Sequence, residues 1–276
     1  LLVMNQRKLS VKHPNLHTEN KDKQIYFLCA MPRSGNTLFS SLMNQNPDIA
    51  VTANSITLEI MKELFLLKKK DVFQNFPDEQ SLNNVMDEVY NLYYKNWNYK
   101  AIIDRGPVCT PGNLMVMQKH FKQPIRCVVL VRDLLDVLAS YIKWFENEPT
   151  AFPNQFKTID EKLSHIMHIN GAVSKELQSI QYLSQNHDMA VFVKYDNLVT
   201  QPEKELRKVY NFLNLPYYPH TFTNLNQLVV NGVQYNDSIV GKNMHTIRTE
   251  KVMKVENKYK NKIPERFVKE YGHITF

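Results

Sequence analysis

Residues 25–46 read IYFLCAMPRSGNTLFSSLMNQN. The apolar run 25–30 predicts a buried strand, and the chain breaks at Met31-Pro32. A polar turn follows, Arg33-Ser34-Gly35-Asn36-Thr37, and then an amphipathic helix is predicted to run from 37 to about 46, where Pro47 stops it. A strand, a glycine-bearing turn and a helix N-terminus together make an anion site, because free amides and the positive helix end converge on the turn. Gly35 lets the backbone approach a phosphate closely. Thr37 offers a hydroxyl and a cap. Arg33 adds a fixed fork-shaped charge suited to tetrahedral oxyanions. The turn is not a nucleotide-triphosphate loop of the form G-x-x-x-x-G-K-[ST], because the leading glycine is missing and Asn36 stands where the lysine belongs.

Outward from this stretch, strands and helices alternate. Residues 48–54 read as a short connection. Helices are predicted over 56–69 and 81–97, a strand over 101–104, and a helix over 111–121 with Pro111 at its start. The run 125–131 (IRCVVLV) has no alternation, as befits a strand covered on both faces. A helix over 134–145, a proline-bearing loop over 146–158 and one long helix over 159–185 follow. Next come a strand over 190–195 and a helix to about 213, opened by a capping box at Thr200-Gln201-Pro202-Glu203. Residues 216–248 read as loop, and a short helix is expected near 264–271.

This pattern predicts an α/β fold: a single domain with a mainly parallel central sheet flanked by helices, P-loop-like in its first turn. Residues 1–24 are expected as a flexible N-terminal arm and 25–276 as the domain. Ligands of such sheets sit at the carboxyl ends of the strands. That rule puts Arg33, Asp104, Arg105, Arg132 and Tyr195 at one rim, since each ends or follows a strand.

Composition narrows the function. The chain has 276 residues, 43% hydrophobic, enough to bury a core. Its net charge of +7 fits an anionic ligand or acidic partner. No compact basic stripe interleaved with aromatics points to nucleic acid. Cys29, Cys109 and Cys127 lack metal-ligand spacing, and Cys29 and Cys127 fall in predicted buried strands, so they read as core thiols. With no visible secretory signal and no stretch of membrane-spanning length, a reducing, cytoplasmic location is expected.

The second informative stretch is VLVRDLLDVLASYIKWF, in which Arg132 leaves a strand and Ser140 lies eight positions on, about two helical turns away. Together they can hold a second phosphate. With these residues in view, the chain resembles the PAPS-dependent sulfotransferases. MPRSGNTLFSSLMNQNPDI is similar to their 5′-phosphosulfate loop, in the PRSG form of tyrosylprotein and related sulfotransferases. VLVRDLLDVLASYIKWF is similar to their 3′-phosphate motif. VKYDNLVTQPEKELRKVYNFLNLP resembles a third landmark, and DRGP (104–107) resembles the family's D-K-x-P turn. The resemblance is in order and covers about 25–216.

The resemblance implies a sulfotransferase that moves the sulfuryl group from 3′-phosphoadenosine 5′-phosphosulfate (PAPS) to a hydroxyl or amine, releasing 3′-phosphoadenosine 5′-phosphate (PAP), with no metal. It implies that Arg33 and the backbone from Ser34 through Gly35 and Asn36 to Thr37 hold the phosphosulfate. Arg132 and Ser140 would hold the 3′-phosphate, with Tyr195 on the adenine side. Residues 237–248 occupy the place of a cofactor-covering loop, with Lys242 and Arg248 as anion contacts. Arg33, assisted by Arg105, would stabilise developing charge.

The family's bases are not matched: Ala53-Asn54 stands where tyrosylprotein sulfotransferases keep a Glu, and Gly106 is near the His position of cytosolic ones. Asp104, Glu59 and His245 are the candidates, Asp104 the favoured one, so Asp104→Asn is expected to lower turnover far more than cofactor binding. The acceptor is a small molecule, glycan or peptide. Its pocket is expected between 51–75 and 146–158, with Trp144, Phe145, Phe152, Phe156 and Phe73 as lining aromatics. Two rivals remain: a P-loop kinase-like NTP enzyme, and a non-catalytic module for adenine nucleotides or sulfated glycans.

Overall fold

The structure is a computed structural model that describes residues 23–52, 54–148, 155–225, 229–234, 236, 247, 251–254 and 258–276. Nearly all of the expected arm lies outside these residues, as do Lys242, His245, Arg248 and Phe152. Gln24, assigned to the arm, is the first residue of β1 (Gln24–Ala30).

Five parallel strands form the sheet in the order β2-β3-β1-β4-β5: β1, β2 (Ile49–Val51), β3 (Ala101–Arg105), β4 (Cys127–Val131) and β5 (Ala190–Lys194). Side chains alternate across β1. Ile25, Phe27 and Cys29 face one apolar layer, and Tyr26, Leu28 and Ala30 face the other. The first layer is closed by α2 (Thr57–Leu67), α4 (Glu79–Tyr93), α5 (Pro111–His120), α6 (Leu134–Asn147), α7 (Ile159–Met167) and α8 (Ala172–Ser184), while the short α3 (Asp71–Asn75) buries none of its residues. The second is closed by α1 (Asn36–Met43), α9 (Tyr195–Thr200) and α10 (Pro202–Leu213). A sheet covered on both faces explains the unbroken apolar runs of β1 and β4.

After β1 the chain moves to the β2 side of the sheet, and after β4 it moves to the β5 side. The direction reverses between β1 and β4, so a crevice opens there at the carboxyl ends. The loop after β1 and Arg132 after β4 flank this point.

Several local expectations are corrected. Residues 48–54 include the edge strand β2, whose β-branched residues pair with β3. The long helix is two helices, α7 and α8, divided at an Asn170-Gly171 turn. The capping box before α10 does not form: the Thr200 hydroxyl donates to the Asp196 carbonyl (2.7 Å), which leaves Gln201 as an N-cap without a side-chain bond. A capping box does form at Thr158 and Glu161, opening α7. The three cysteines, on β1, β4 and the segment after β3, are all free and buried together, with Cys109 Sγ 3.9 Å from Cys127 Sγ. Among the described residues no helix is long and apolar enough to cross a membrane.

Candidate active site

The loop after β1 is built around one carbonyl. The oxygen of Met31 accepts from the Ser34 amide (3.3 Å), the Ser34 hydroxyl (2.6 Å) and the Asn36 side-chain amide (3.3 Å). Asn36 also accepts from the Ser34 hydroxyl. Both side chains are buried, so they close the loop from within and contribute outward only through their backbone. The residue in the lysine position of a triphosphate loop is therefore turned away from any ligand.

Arg33 has φ 69° and Gly35 φ 96°, the left-handed region that costs a non-glycine residue free energy. Gly35 serves as the N-cap of α1 with no side-chain cap bond, and Thr37 lies half-buried inside the first turn. The expectation that Thr37 caps the helix is corrected, because the chain enters α1 one residue earlier. With no capping oxygen, the first amides of α1 keep their donor capacity for an anion.

Arg132, after β4, reaches across to this loop. Its Nη1 donates to the Arg33 carbonyl (3.0 Å), and its guanidinium carbon lies 4.2 Å from the centroid of the Tyr195 ring. Its Nε is buried and has no hydrogen-bond partner, a cost that an anion in the crevice would relieve. Tyr195, the first residue of α9 rather than the end of β5, lies against Gly35 as well: a Cβ there would stand 2.9 Å from Tyr195 Cδ2. Ser140, two turns into α6, accepts from Arg33 Nε at 3.1 Å. The structure thus brings Arg33, Arg132, Ser140 and Tyr195 together, with Ser140 tied to Arg33 rather than to Arg132. Asp136 pairs with Lys260 at 3.0 Å. Two arginines, uncapped helix amides and a buried orphan N–H fit a ligand with two anionic groups.

Asp104 is not at the open rim. Only 2% of it is exposed, and its Oδ1 accepts from Thr52 (3.0 Å) while its Oδ2 accepts from Thr57. The Thr52 hydroxyl in turn accepts from the Arg105 amide (2.9 Å). Burial raises the Asp104 pKa, opposed by hydroxyls of Ser55, Thr57 and Thr52. The placement is corrected for a reason of register: Asp104 pairs with Phe27 inside the sheet, and Arg105 is the last residue of β3. Asp104 clamps the segment between β2 and α2. Glu59 is exposed on α2. Arg105 is half-buried and acts electrostatically on Tyr141 of α6, as does Arg33. Of the aromatics, Phe145 is core, Trp144 and Phe156 pack against it, and Phe73 is partly buried.

One acid escaped the sequence reading. Glu176 of α8 is buried, and burial lifts its pKa to about 8 against the Arg105 charge and a bond from the Ala30 amide. Its only sequence signal is an acid at i+3 from Val173 and beside Leu177, on the apolar face of a helix.

The profile of the Sulfotransferase family matches residues 26–219. No curated protein matches the chain by sequence. Among solved structures, the sulfotransferase domain from the curacin biosynthetic pathway is 17% identical, with 92% of this chain and 99% of that chain covered and a TM-score of 0.52. The sulfotransferase domain of the Synechococcus PCC 7002 olefin synthase is 14% identical, with 99% of this chain and 100% of that chain covered and a TM-score of 0.53. Both likenesses are of fold.

Proposed function

The chain belongs to the sulfotransferase family, whose members are transferases of sulfo groups, and on that footing we propose that it moves the sulfuryl group of PAPS to a hydroxyl or amine of an acceptor. The observation that carries the reading is the bond from Arg132 to the Arg33 carbonyl (3.0 Å). It seats two anion-binding turns side by side at the point where the sheet reverses direction, and PAPS is a nucleotide with two separate anionic ends. The inward turn of Asn36 argues against the rival NTP enzyme.

In this reading Arg33 and the amides of Gly35, Asn36 and Thr37 hold the 5′-phosphosulfate, while the Ser34 amide closes the loop on the Met31 carbonyl. Arg132 and Ser140 hold the 3′-phosphate, and Tyr195 supports both the loop and Arg132 beside the adenosine. Lys242 and Arg248 are assigned to the covering loop. When bound, the donor supplies a sulfuryl group already activated by its phosphate leaving group. Arg33 and Arg105 stabilise the charge that develops on the sulfuryl oxygens and the departing phosphate, in a crevice where such charges are weakly screened. Asp104, through Thr52 and Thr57, holds the segment that forms one wall of the acceptor pocket. This chemistry needs no metal. The chain from Gln24 onward acts as one domain, on a small-molecule, glycan or peptide acceptor.

The test is twofold. PAP should raise the melting temperature of the chain more than ATP with Mg²⁺ does, and radiolabelled sulfate should pass from PAPS to a member of an acceptor panel. Protection by ATP with Mg²⁺ but not by PAP would favour the NTP enzyme. PAP binding with no transfer to any acceptor would favour the binding module.

A further inference from the structure

β2 and β3 end side by side at the carboxyl edge of the sheet, with Val51 level with Ile103. β3 in turn lies beside β1: Arg105 is level with Leu28, and the Gly106 amide donates to the Leu28 carbonyl at 3.2 Å. The end of β3 therefore stands one strand away from the chain that leads into the turn 31–37. At this place four side-chain oxygens are joined in a line. Asp104 Oδ1 accepts from Thr52 at 3.0 Å, Asp104 Oδ2 accepts from Thr57 Oγ1, and Thr57 Oγ1 lies 2.5 Å from Ser55 Oγ. Asp104 and Thr57 are buried, whereas Ser55 is half-buried between the exposed Asn54 and Ile56. The line runs from an interior carboxyl to the surface.

The chemistry of these groups fixes the direction of each bond. An ionised carboxylate only accepts, so Thr57 spends its one hydroxyl proton on Asp104. The bond between Ser55 and Thr57 is then donated by Ser55. Ser55 Oγ also accepts from the Thr57 amide at 3.3 Å. A hydroxyl has one proton and two lone pairs, so Ser55 is left with one lone pair and no proton. Toward a group arriving from outside it acts as an acceptor. The clamp on the segment after β2 needs only Thr52 and Thr57; Ser55 extends the line beyond it, outward.

We propose that Ser55, Thr57 and Asp104 form a proton relay in which the acceptor hydroxyl donates to Ser55 Oγ and its charge ends on Asp104. The assignment rests on the donor reading above. As the acceptor oxygen bonds to sulfur, its proton passes to Ser55 Oγ, the Ser55 proton passes to Thr57 Oγ1, and the Thr57 proton passes to Asp104 Oδ2. The electron pair of the cleaved sulfur–oxygen bond leaves on the 5′-phosphate of PAP. When the products depart, the proton on Asp104 returns to solvent along the same line. A buried carboxyl with both oxygens occupied can in this way serve a substrate that never touches it. Burial also raises the Asp104 pKa, against the hydroxyls that lower it, which makes it a stronger base than a solvated aspartate. Glu176 on α8 has no such route, because its Oε2 is buried without a hydrogen-bond partner.

The experiment uses the full chain and PAPS, with water or the acceptor panel supplying the hydroxyl, and follows PAP release. Thr57→Val keeps the shape and removes the middle link. It should lower PAP release ~100-fold, while PAP still raises its melting temperature as in the parent. Thr57→Ser restores the hydroxyl and should recover most of the rate. Ser55→Ala should resemble Thr57→Val, and the double variant should be no slower than the slower single, since a chain broken at one link is already broken. Losses that multiply in the double variant would mark two separate structural effects and overturn the relay. So would PAP release at the parent's rate by folded Ser55→Ala or Thr57→Val. Should Thr57→Val fail to fold, Ser55→Ala and Thr57→Ser decide. A parent that binds PAP but releases none from PAPS with water or any panel member would overturn the relay together with transfer. A parent that does not bind PAP would overturn the donor reading, and the relay with it.

Discussion

Arg132 Nη1 donates to the carbonyl of Arg33 at 3.0 Å. The bond runs between residues 99 positions apart and joins the exits of the two strands that flank the crevice. It leaves the buried Nε of Arg132 without a partner, so the guanidinium is held in place with donor capacity unspent.

Arg132→Ala should therefore weaken PAP binding by ~10–100-fold, the value of one or two charge-assisted bonds. Arg132→Lys should fall between, because an ammonium keeps the charge but loses the fork that spans the Arg33 carbonyl and the ligand. Calorimetric titration with PAP reads both. Parent-like affinity in Arg132→Ala would remove the residue from the proposed 3′-phosphate site.

Gly35→Ala should damage loop and ligand site together. The residue has φ 96°, and its Cβ would stand 2.9 Å from Tyr195 Cδ2. A strained left-handed residue costs about 1–3 kcal/mol, and relief of the clash requires Tyr195 to leave its place over Arg132. The expected result is a lower melting temperature and a weakened PAP response. Adding Tyr195→Leu should recover only the steric part of the stability loss. Full recovery would show that φ imposes no cost.

At Asp104 the conservative and the truncating changes should differ. Asp104→Ala strands the hydroxyls of Thr52 and Thr57, at about 1–3 kcal/mol for each buried group left unpaired. It should lower the melting temperature and raise the acceptor KM. Asp104→Asn keeps the shape, so it should lower the melting temperature less than Asp104→Ala does. A severe loss of turnover in Asp104→Asn with PAP binding unchanged would make Asp104 the base.

Stability should depend on pH in two opposed windows. Glu176 has a folded pKa of about 8 against 4.5 for the free group. Between those values the unfolded chain releases its proton first, so the stability this group provides at low pH is lost as pH rises, at up to ~1.4 kcal/mol per pH unit. Glu176→Gln should flatten that slope. His220 is held down to about 4 from 6.5, chiefly by burial. There the unfolded chain binds the proton first, and stability is lost as pH falls from about 6.5 toward 4. His220→Gln should lessen that acid sensitivity. Urea unfolding at a series of pH values reads both slopes.

Much of this molecule was written locally. The runs 25–30 and 125–131 identify buried parallel strands because a strand covered on both faces has no polar side to show. The turn 31–37 is legible as a strand-to-helix turn because glycine and helix-start signals act within a few residues. The ordered motifs around Arg132 and Ser140 made the family legible. Two local features carry weak sequence signals: β2 is only three residues long, too short for alternation to register, and the Asn170-Gly171 turn lies between two helices of similar apolar periodicity.

Other features depended on how distant segments meet. No spacing rule reveals that Ser140 faces Arg33, that Asp104 sinks between Thr52 and Thr57, or that Asn36 turns inward to Met31. Glu176 is the clearest case. In sequence it is one acid in a helix of ordinary amphipathic pattern; in the fold its helix lies against β1, and burial beside Arg105 and the Ala30 amide changes its proton affinity. The sequence by itself determined the central strands, the glycine-bearing turn after the first of them and the family, because those rest on short-range backbone chemistry and periodic burial. Only the tertiary structure decided which acid is buried and in which direction its proton affinity moves, because desolvation and Coulomb fields are set by neighbours brought together through space.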